Sequence, residues 1–168
     1  MELRLAQMED LPALRASYGE VIRQMHADGI TIWNDYYPCE LFPEDIEANR
    51  LYVLEDGEQI VSAFALCDTN SGEQAVSWEN PAAKAMYIDR FGVNPRYAGK
   101  GIGSAMLKRA GEMAKAGGAE YLRLFVVDCN LPAMGLYEKN GFSRAAGRFR
   151  EKIKPGEFLT ELGYEIRL

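Results

Sequence analysis

Three glycines at alternate positions, Gly99, Gly101 and Gly103, constrain this chain more than any other feature. They follow a predicted strand, residues 85–93, and lead into a predicted helix, residues 102–115, whose second residue is Gly103. Glycine tolerates positive φ and lets a ligand approach the backbone closely. A glycine loop that opens a helix also exposes unpaired N–H groups at the positive end of the helix dipole. The segment therefore predicts an anion site, for which a phosphate group is the usual ligand.

Two other phosphate-binding loops fit this segment poorly. The Walker pattern, G-x-x-x-x-G-K-[ST], occurs nowhere in the chain. The dinucleotide-binding pattern, G-x-G-x-x-G/A, would need a smaller residue at Ser104 and an acidic residue after the next strand, whereas Glu120 precedes that strand. A tight turn without a ligand is the remaining alternative. Arg96 and Lys100, beside the glycines, favour the anion site.

Hydrophobic periodicity and turn residues predict a mixed α/β fold in one domain, residues 1–168. No linker, repeat or low-complexity segment divides the chain. The predicted helices are residues 10–26, 43–49, 102–115 and 131–139, and the predicted strands are residues 3–6, 51–54, 60–66, 85–93, 121–127, 143–153 and 160–168. The middle of the chain has the order strand, helix, strand, which is typical of a βαβ unit with parallel strands.

Composition excludes several classes of protein. The 168 residues are 48% hydrophobic and 26% charged, as in ordinary soluble globular chains. No apolar run approaches the roughly 18 residues of a membrane span, and the charged N-terminal segment does not resemble a secretory signal. Three cysteines, odd in number and far apart, argue against a disulfide framework. We therefore expect a cytoplasmic protein without membrane association.

Charge and histidine content narrow the function further. Residues 1–83 carry 16 acidic and 4 basic side chains, whereas residues 84–109 carry 6 basic and 1 acidic. The net charge of −6 argues against nucleic acid as a partner, while the short basic segment suits a small phosphorylated ligand. The acidic segment could attract a cationic amine or could simply keep the surface soluble. Because His26 is the single histidine, we expect neither a histidine-activated nucleophile nor a metal site.

Two motifs carry a resemblance to a known family. The first is V-x-P-R-x-x-G-x-G-I-G at residues 93–103, and the second is N-x-x-A-x-x-L-Y-E-K-x-G-F at residues 130–142. Together, and in this order, they resemble the acyl-CoA-binding core of the GNAT superfamily of N-acetyltransferases. The resemblance implies a central, mostly antiparallel sheet with one splayed parallel strand pair and helices on both faces.

The resemblance also implies a binding site for acetyl-CoA. In this family the cofactor lies in the opening between two parallel strands, which here would be residues 85–93 and 121–127. The backbone of Phe91 and Val93 would bind the pantetheine amides, and an N–H group there could polarise the thioester carbonyl. The glycine loop would hold the pyrophosphate. The implied cofactor-binding residues are Phe91, Gly92, Val93, Arg96, Tyr97, Ala98, Gly99, Lys100, Gly101, Ile102, Gly103, Ser104, Asn130, Ala133 and Tyr137.

The second motif implies a catalytic acid. By resemblance, Tyr137 protonates the CoA thiolate as it leaves, and the small side chain of Ala133 leaves room for the cofactor. A phenol can serve as an acid where its O–H reaches the sulfur. The alternative is that Tyr137 is a core aromatic residue. Asn130 could bind the cofactor or could only cap the helix.

The general base is less defined. Many family members place a glutamate where this chain has Tyr87, which cannot remove a proton from an amine. Asp89 is two residues further along the same strand face and is the candidate base. An ion pair with Arg90 or Arg96 is the alternative role for Asp89. Weaker candidates are Glu79 and Asp128. We predict that no single base is indispensable.

The acceptor pocket is expected in the first half of the chain. Trp33, Asp35 and Tyr36 belong to an aromatic and acidic run that could bind an ammonium group. Alternatively, Trp33 and Tyr36 pack inward at helical spacing. Trp78 is a further candidate for the same pocket.

These observations predict an acetyl-CoA-dependent N-acetyltransferase. Without a histidine-activated nucleophile, the expected reaction is direct attack of a primary amine, most simply that of a small molecule, in a ternary complex. The alternative is a non-catalytic acyl-CoA-binding sensor or regulatory module. Either a monomer or a homodimer fits the sequence.

Overall fold

The structure, a computed structural model, describes residues 1–168 except for the Lys154 side chain. The helices are α1 (Leu11–Ala27), α2 (Phe42–Glu47), α3 (Ile102–Ala116) and α4 (Leu131–Lys139). The strands are β1 (Glu2–Leu5), β2 (Leu51–Asp56), β3 (Gln59–Cys67), β4 (Val76–Ser77), β5 (Ala85–Val93), β6 (Tyr121–Val127), β7 (Ser143–Arg144), β8 (Ala146–Gly147), β9 (Phe149–Lys154) and β10 (Glu157–Arg167). Short 3-10 turns cover Met8–Asp10, Cys39–Leu41 and Pro95–Tyr97.

The chain folds as two compact units that share β5 and α3. The first unit contains Met1–Leu66 and Arg90–Met106, and the second contains Cys67–Asp89 and Leu107–Leu168. Each unit is therefore assembled from two separate stretches of sequence, and the polypeptide passes from one unit to the other within β5 and again within α3.

The first unit is built on an antiparallel sheet. β1 pairs with β2, β2 pairs with β3, and the strand order continues to β5. Helix α1 is amphipathic because Leu14, Tyr18 and Ile22 recur every four residues, and all three are buried. Phe42 and Phe64 are completely buried beside them. Burial of a side chain of this size contributes roughly 1.5–3 kcal/mol, so these residues dominate the stability of the unit.

The second unit contains the one parallel strand pair. Ala85–Ile88 of β5 pair with Tyr121–Leu124 of β6, and the connection between the two strands includes α3. β10 then pairs antiparallel with β6, β7 and β9. β6 is apolar and almost wholly buried, as expected for a strand covered on both faces. The prediction of a mixed α/β fold with a parallel pair in a mostly antiparallel sheet is confirmed.

One prediction about the last third of the chain is wrong. Residues 143–153 do not form one strand but belong to β7, β8 and β9, and β8 pairs with β4, which the sequence did not predict. Gly147 interrupts the extended backbone with a φ of +98°. A Cβ atom at Gly147 would lie 3.1 Å from the carbonyl oxygen of Ala75, so the close approach of β4 also requires glycine.

Candidate active site

The start of the glycine loop is held by Asn94. Its side-chain oxygen accepts a hydrogen bond from the Arg96 N–H at 3.0 Å, and its side-chain nitrogen donates to Ser17 Oγ at 3.3 Å. The backbone N–H of Asn94 donates to the carbonyl of Val61 at 2.8 Å. Because Asn94 is buried, these bonds anchor the point where β5 ends and the loop begins.

The loop needs glycine for its backbone conformation rather than for space. Gly99 and Gly101 have φ values of +74° and +75°, and no heavy atom lies within 4 Å of a Cβ atom built at either position. Helix α3 begins directly afterwards at Ile102, and Gly103 and Ser104 belong to its first turn. The N–H groups of a first turn have no partner within the helix and point along its axis. The loop can therefore present several N–H donors to an anion.

The cationic side chains of the loop are exposed. Arg96 keeps 65% of its side-chain surface exposed and pairs with Glu20 at 3.0 Å. The ammonium group of Lys100 lies 4.8 Å from the ring centre of Tyr97, whose hydroxyl group bonds to Gln59. Exposed ion pairs of this kind contribute at most about 1 kcal/mol, so an anionic ligand can displace Glu20 from Arg96 at little cost. Ala98 follows directly after the 3-10 turn at the start of the loop.

The end of β5 follows a tightly constrained path. The Ser62 hydroxyl group donates to the carbonyl of Gly92 at 2.7 Å. A Cβ atom at Gly92 would lie 3.0 Å from the Tyr18 ring, so glycine allows the strand to pass this side chain. These contacts of Gly92 also restrain the backbone of its two neighbours, Phe91 and Val93.

Tyr137 is buried on α4. The helix is capped by Asn130, whose side-chain oxygen accepts from the Ala133 N–H at 3.3 Å, so the capping role predicted for Asn130 is present. The Tyr137 ring packs near those of Phe142 and Tyr164. Burial raises the pKa of Tyr137 well above its usual value, and the negative charge of Asp89 raises it further. Tyr137 therefore keeps its proton at physiological pH.

Asp89 belongs to a group of acidic side chains in the second unit. The Asn70 side chain donates to Asp89 Oδ1 at 3.1 Å. The carboxyl groups of Glu161 on β10 and Glu151 on the adjacent strand β9 lie close enough to share a proton. Burial, and then the charges of Glu151 and Asp89, raise the pKa of Glu161 to about 8, and burial raises the pKa of Glu151 as well. A carboxyl group with this pKa can take up and release a proton near neutral pH.

Sequence reasoning missed Glu151 and Glu161. Glu161 lies on the face of β10 opposite to Leu162 and Tyr164, and simple alternation assigns such a face to solvent. The available signal was Arg123, a charged residue in the middle of the apolar strand β6. Arg123 is buried and pairs with Glu165 at 3.1 Å, so both faces of this part of the sheet are covered.

The two arginines next to Asp89 in sequence have carboxylate partners elsewhere. Arg90 pairs with Asp45 at 2.6 Å, and Arg96 pairs with Glu20. Tyr87, at the position where many relatives have glutamate, is buried, and its hydroxyl group accepts a long hydrogen bond from Arg123 at 3.5 Å.

The predicted acceptor residues have different environments. Trp33 stacks on Tyr18 with ring centres 5.7 Å apart, whereas Asp35 is exposed and Tyr36 keeps 75% of its surface exposed. The alternative in which Trp33 and Tyr36 pack inward is wrong for Tyr36, which is exposed, whereas Trp33 does pack on the buried Tyr18. The segment forms turns, not a helix, and Asn34 Oδ1 accepts the N–H groups of Tyr36 and its neighbour.

Trp78 lies in the second unit and is buried. Its indole N–H donates to the carbonyl of Glu73 at 2.8 Å, and its ring lies against Arg123, 4.5 Å from the guanidinium carbon. A Cβ atom at Gly163 would lie 2.9 Å from the Trp78 ring. This side chain therefore packs closely on the sheet of its own unit.

The two motifs fall within a known family. A family model described as the acetyltransferase (GNAT) family matches residues 18–142, which include the glycine loop and the whole of α4. The chain belongs to the GNAT family of acetyltransferases. The resemblance that the motifs predict is thereby confirmed, and so is the assignment as an acetyltransferase.

Individual relatives of this GNAT acetyltransferase agree. The Bacillus subtilis (strain 168) protein named "Putative phosphinothricin acetyltransferase YwnH" is 34% identical over 145 residues, which are 85% of this chain and 84% of that protein. A GNAT-family acetyltransferase structure from Streptococcus agalactiae superposes with a TM-score of 0.83 at 16% identity, covering 99% of this chain and 95% of that chain. A Salmonella typhimurium structure that includes acetyl-CoA as its cofactor gives 0.69 at 20% identity, covering 100% and 94%. At these identities the two structures establish the fold.

The described residues also bear on metal binding and on membrane insertion. Among the described residues of this GNAT acetyltransferase, no group of three or more His, Cys, Asp and Glu side chains could hold a metal ion. None of the helices in the described part of the chain is both long enough and apolar enough to span a bilayer.

Proposed function

We propose that this GNAT acetyltransferase transfers the acetyl group of acetyl-CoA to the primary amine of a small molecule by direct attack in a ternary complex. Membership of the family supports acetyl-CoA as the donor, and the name of the Bacillus subtilis relative supports a small-molecule acceptor. The catalytic part of the proposal depends on one observation: Tyr137 of the second motif is buried with its phenol protonated.

The glycine loop supports binding of the pyrophosphate. Gly99 and Gly101 hold positive φ values, as in backbone loops that bind anions through successive N–H groups, and α3 adds the donors of its first turn. Arg96 and Lys100 supply exposed positive charge beside them. The cofactor-binding residues proposed for this loop are Arg96, Tyr97, Ala98, Gly99, Lys100, Gly101, Ile102, Gly103 and Ser104, and those outside it are Phe91, Gly92, Val93, Asn130, Ala133 and Tyr137.

The reaction requires two proton transfers. The neutral amine nitrogen attacks the thioester carbonyl carbon, a C–N bond forms, and the C–S bond then breaks. The Tyr137 phenol gives its proton to the departing thiolate, while the amine loses a proton to a base. A backbone N–H group of Phe91 or Val93 donates to the carbonyl oxygen as negative charge develops there.

Asp89 is the proposed base, acting directly or through water. The negative charge of Asp89 raises the pKa of Tyr137, which places the proposed base close enough to the proposed acid to interact with it electrostatically. Glu161 offers a second proton acceptor, since its pKa of about 8 allows it to ionise near neutral pH. With two carboxyl groups available, the loss of either one leaves part of the activity.

The acceptor is tested first with phosphinothricin and a panel of small amines. Trp33, Asp35, Tyr36 and Trp78 remain the proposed acceptor-binding residues. A cytoplasmic location and a monomeric or homodimeric state likewise remain predictions.

The proposal is tested by calorimetric titration of acetyl-CoA together with a thiol-release assay on the amine panel. We expect binding, release of CoA with at least one amine, and about a hundredfold fall in kcat in the Tyr137→Phe variant. Tyr164→Phe is the matched control because its hydroxyl group donates to Glu138 in the same unit and lies outside the proposed site. An equal loss in both variants would remove Tyr137 as the acid.

A non-catalytic acyl-CoA-binding module is the second candidate. Tyr87 favours it, since a buried tyrosine occupies the position of the usual glutamate base. Binding of acetyl-CoA without turnover on any amine of the panel supports this candidate. Absence of binding contradicts both.

A further inference from the structure

Arg90 has a backbone conformation that is uncommon for its residue type. Its φ is +55° in the interior of β5, in the left-handed region. Among the described residues, the other non-glycine residue with positive φ is Asn49, which directly follows the C-cap of α2, a common place for left-handed asparagine. Arg90 has no such local reason, so the surrounding structure must hold it.

The Arg90 side chain is held by a buried carboxylate. Asp45 on α2 is completely buried, and its two oxygens contact Arg90 Nε at 2.6 Å and Nη2 at 2.8 Å. Arg50 adds a third charged contact, from its Nε to Asp45 Oδ1 at 2.6 Å. The Nη2–Oδ1 contact is a hydrogen bond and the Nε–Oδ2 contact is an ion pair, so the carboxylate restrains both the position and the orientation of the guanidinium group. Asp45 therefore determines where the Arg90 side chain lies.

The Arg90 backbone is held by a buried tyrosine. The Tyr18 hydroxyl group donates to the Arg90 carbonyl at 2.6 Å, and the Ala63 carbonyl oxygen lies 3.1 Å from the same hydroxyl oxygen. Burial raises the pKa of Tyr18 far above its usual value, so the donor proton is always present. The Tyr18 ring also limits Gly92, two residues later, to a residue without a Cβ atom.

The position of Arg90 in β5 matches a change in strand pairing. The parallel ladder with β6 includes Ala85 to Ile88, and the left-handed residue follows two positions later. A residue at positive φ within a strand redirects the peptide groups that follow it, as in a β-bulge. The peptide groups that follow Arg90 are those of Phe91, Gly92 and Val93.

We infer that Asp45, Arg90 and Tyr18 are positioning residues that aim the backbone of Phe91 and Val93 at the acyl donor. The inference rests on the proposed function, in which that backbone binds acetyl-CoA. None of the three touches the reacting atoms, so each acts through the conformation of β5.

The cost of a buried ion pair supports a role beyond stability. Removing a carboxylate and a guanidinium from water costs about as much free energy as their attraction returns, and apolar replacements are often as stable. A pair of this kind contributes mainly a defined geometry. Here the geometry belongs to the segment that precedes the glycine loop.

Substitution of Arg90 by alanine and by glycine separates the backbone conformation from the ion pair. Both variants lose the guanidinium group, but glycine adopts a φ of +55° without strain and alanine does not. We expect Arg90→Ala to raise the Kd for acetyl-CoA about tenfold and Arg90→Gly to raise it no more than about threefold. Equal losses in the two variants would mean that the Asp45–Arg90 ion pair alone positions β5, and they would overturn the role given to the left-handed φ.

Tyr18→Phe tests the second contact in a variant that keeps the ring and its packing. We expect the KM for acetyl-CoA to rise about fivefold while the KM for the amine stays within about twofold. A loss of general stability would not separate the two substrates in this way. Unchanged KM values for both substrates would contradict the role of Tyr18.

Arg4→Met is the matched control for charge and stability. Arg4 also forms a partly buried network in the first unit, with Asp10 and Glu55, but it lies on β1. We expect this variant to unfold more easily and to bind acetyl-CoA with unchanged Kd. If the unsubstituted protein fails to bind acetyl-CoA, the proposed function fails. If it binds but Arg90→Ala and Tyr18→Phe bind equally well, the positioning inference alone fails.

Discussion

The glycine loop of the first unit and the acidic group of the second illustrate two ways to build a functional region. The loop, residues 94–104, works through backbone N–H groups, exposed cations and two positive φ values. The acidic group, Asp89, Glu151 and Glu161, works through side-chain ionisation. Burial raises the pKa of Glu161, as it raises that of the neighbouring phenol of Tyr137. Backbone recognition depends on local conformation, whereas tuned proton chemistry depends on what the rest of the chain packs around a side chain.

The largest effect is expected from a substitution that the backbone conformation of the glycine loop disfavours. Gly101→Val places a β-branched residue at a φ of +75°, where a left-handed conformation is most costly. We expect the Kd for acetyl-CoA, measured by calorimetry, to rise about a hundredfold as the loop changes conformation.

Gly57→Val is the control for this prediction. Gly57 has a φ of +64° in the β2–β3 turn of the same unit, again with no atom within 4 Å of a built Cβ. This variant should lose similar stability on urea unfolding and keep the Kd of the unsubstituted protein. A similar change of Kd in both variants would show that strain anywhere in the unit, rather than the loop itself, determines binding.

The acidic group of the second unit is tested by the pH dependence of the free energy of unfolding. Because the folded state raises the pKa of Glu161 to about 8, above its unfolded value, the folded state binds the proton more tightly. Stability from this group is complete below the unfolded pKa and is lost as pH rises through about 8. Glu161→Gln carries no ionisable group and should be more stable than the original protein by about 4 kcal/mol at pH 9 and by no more than about 1 kcal/mol at pH 5.

Urea unfolding at pH 5 and pH 9 measures this difference. Glu120→Gln is the control, since Glu120 is an exposed carboxylate of the same unit. A Glu161→Gln advantage that is the same at both pH values would mean that Glu161 is ionised in the folded protein like any surface residue.

Asp89→Asn sharpens the assignment of the base. With Glu161 still present, we expect kcat/KM for the amine to fall about tenfold and its pH profile to shift rather than vanish. The variant also removes a negative charge that raises the Tyr137 pKa, but burial alone keeps that phenol protonated, so the change in the profile reports the base. An unchanged profile would remove Asp89 as a base.

The smallest expected effect comes from the exposed cation of the loop. Arg96→Ala should raise the Kd for acetyl-CoA about threefold at low salt and less at high salt, since the guanidinium group is well solvated. Arg23→Ala is the control because Arg23 contacts the same Glu20 oxygen and is equally exposed on α1. A similar change of Kd in both variants would attribute the effect to net charge.

Several elements could be predicted closely from local sequence. β6 and α4 have the predicted bounds, Tyr121–Val127 and Leu131–Lys139, because a dense apolar run and a capped helix with Gly141 behind it are local signals. β5 is likewise found at Ala85–Val93. The left-handed Arg90 within β5 has no local signal, since it is held by residues 45 and 72 positions away in the chain.

The sequence by itself determined the family and the position of the glycine loop, and it singled out Tyr137 as the proposed acid. These follow from the conformational freedom of glycine and from residue spacing, which do not require knowledge of distant neighbours. Tertiary structure alone decided that Glu161 is paired with Glu151 and that Asp45 reaches Arg90. The pKa of a buried carboxyl group and the strain of a left-handed residue depend on side chains from remote parts of the chain. A local sequence pattern does not show which remote side chains will lie next to each other.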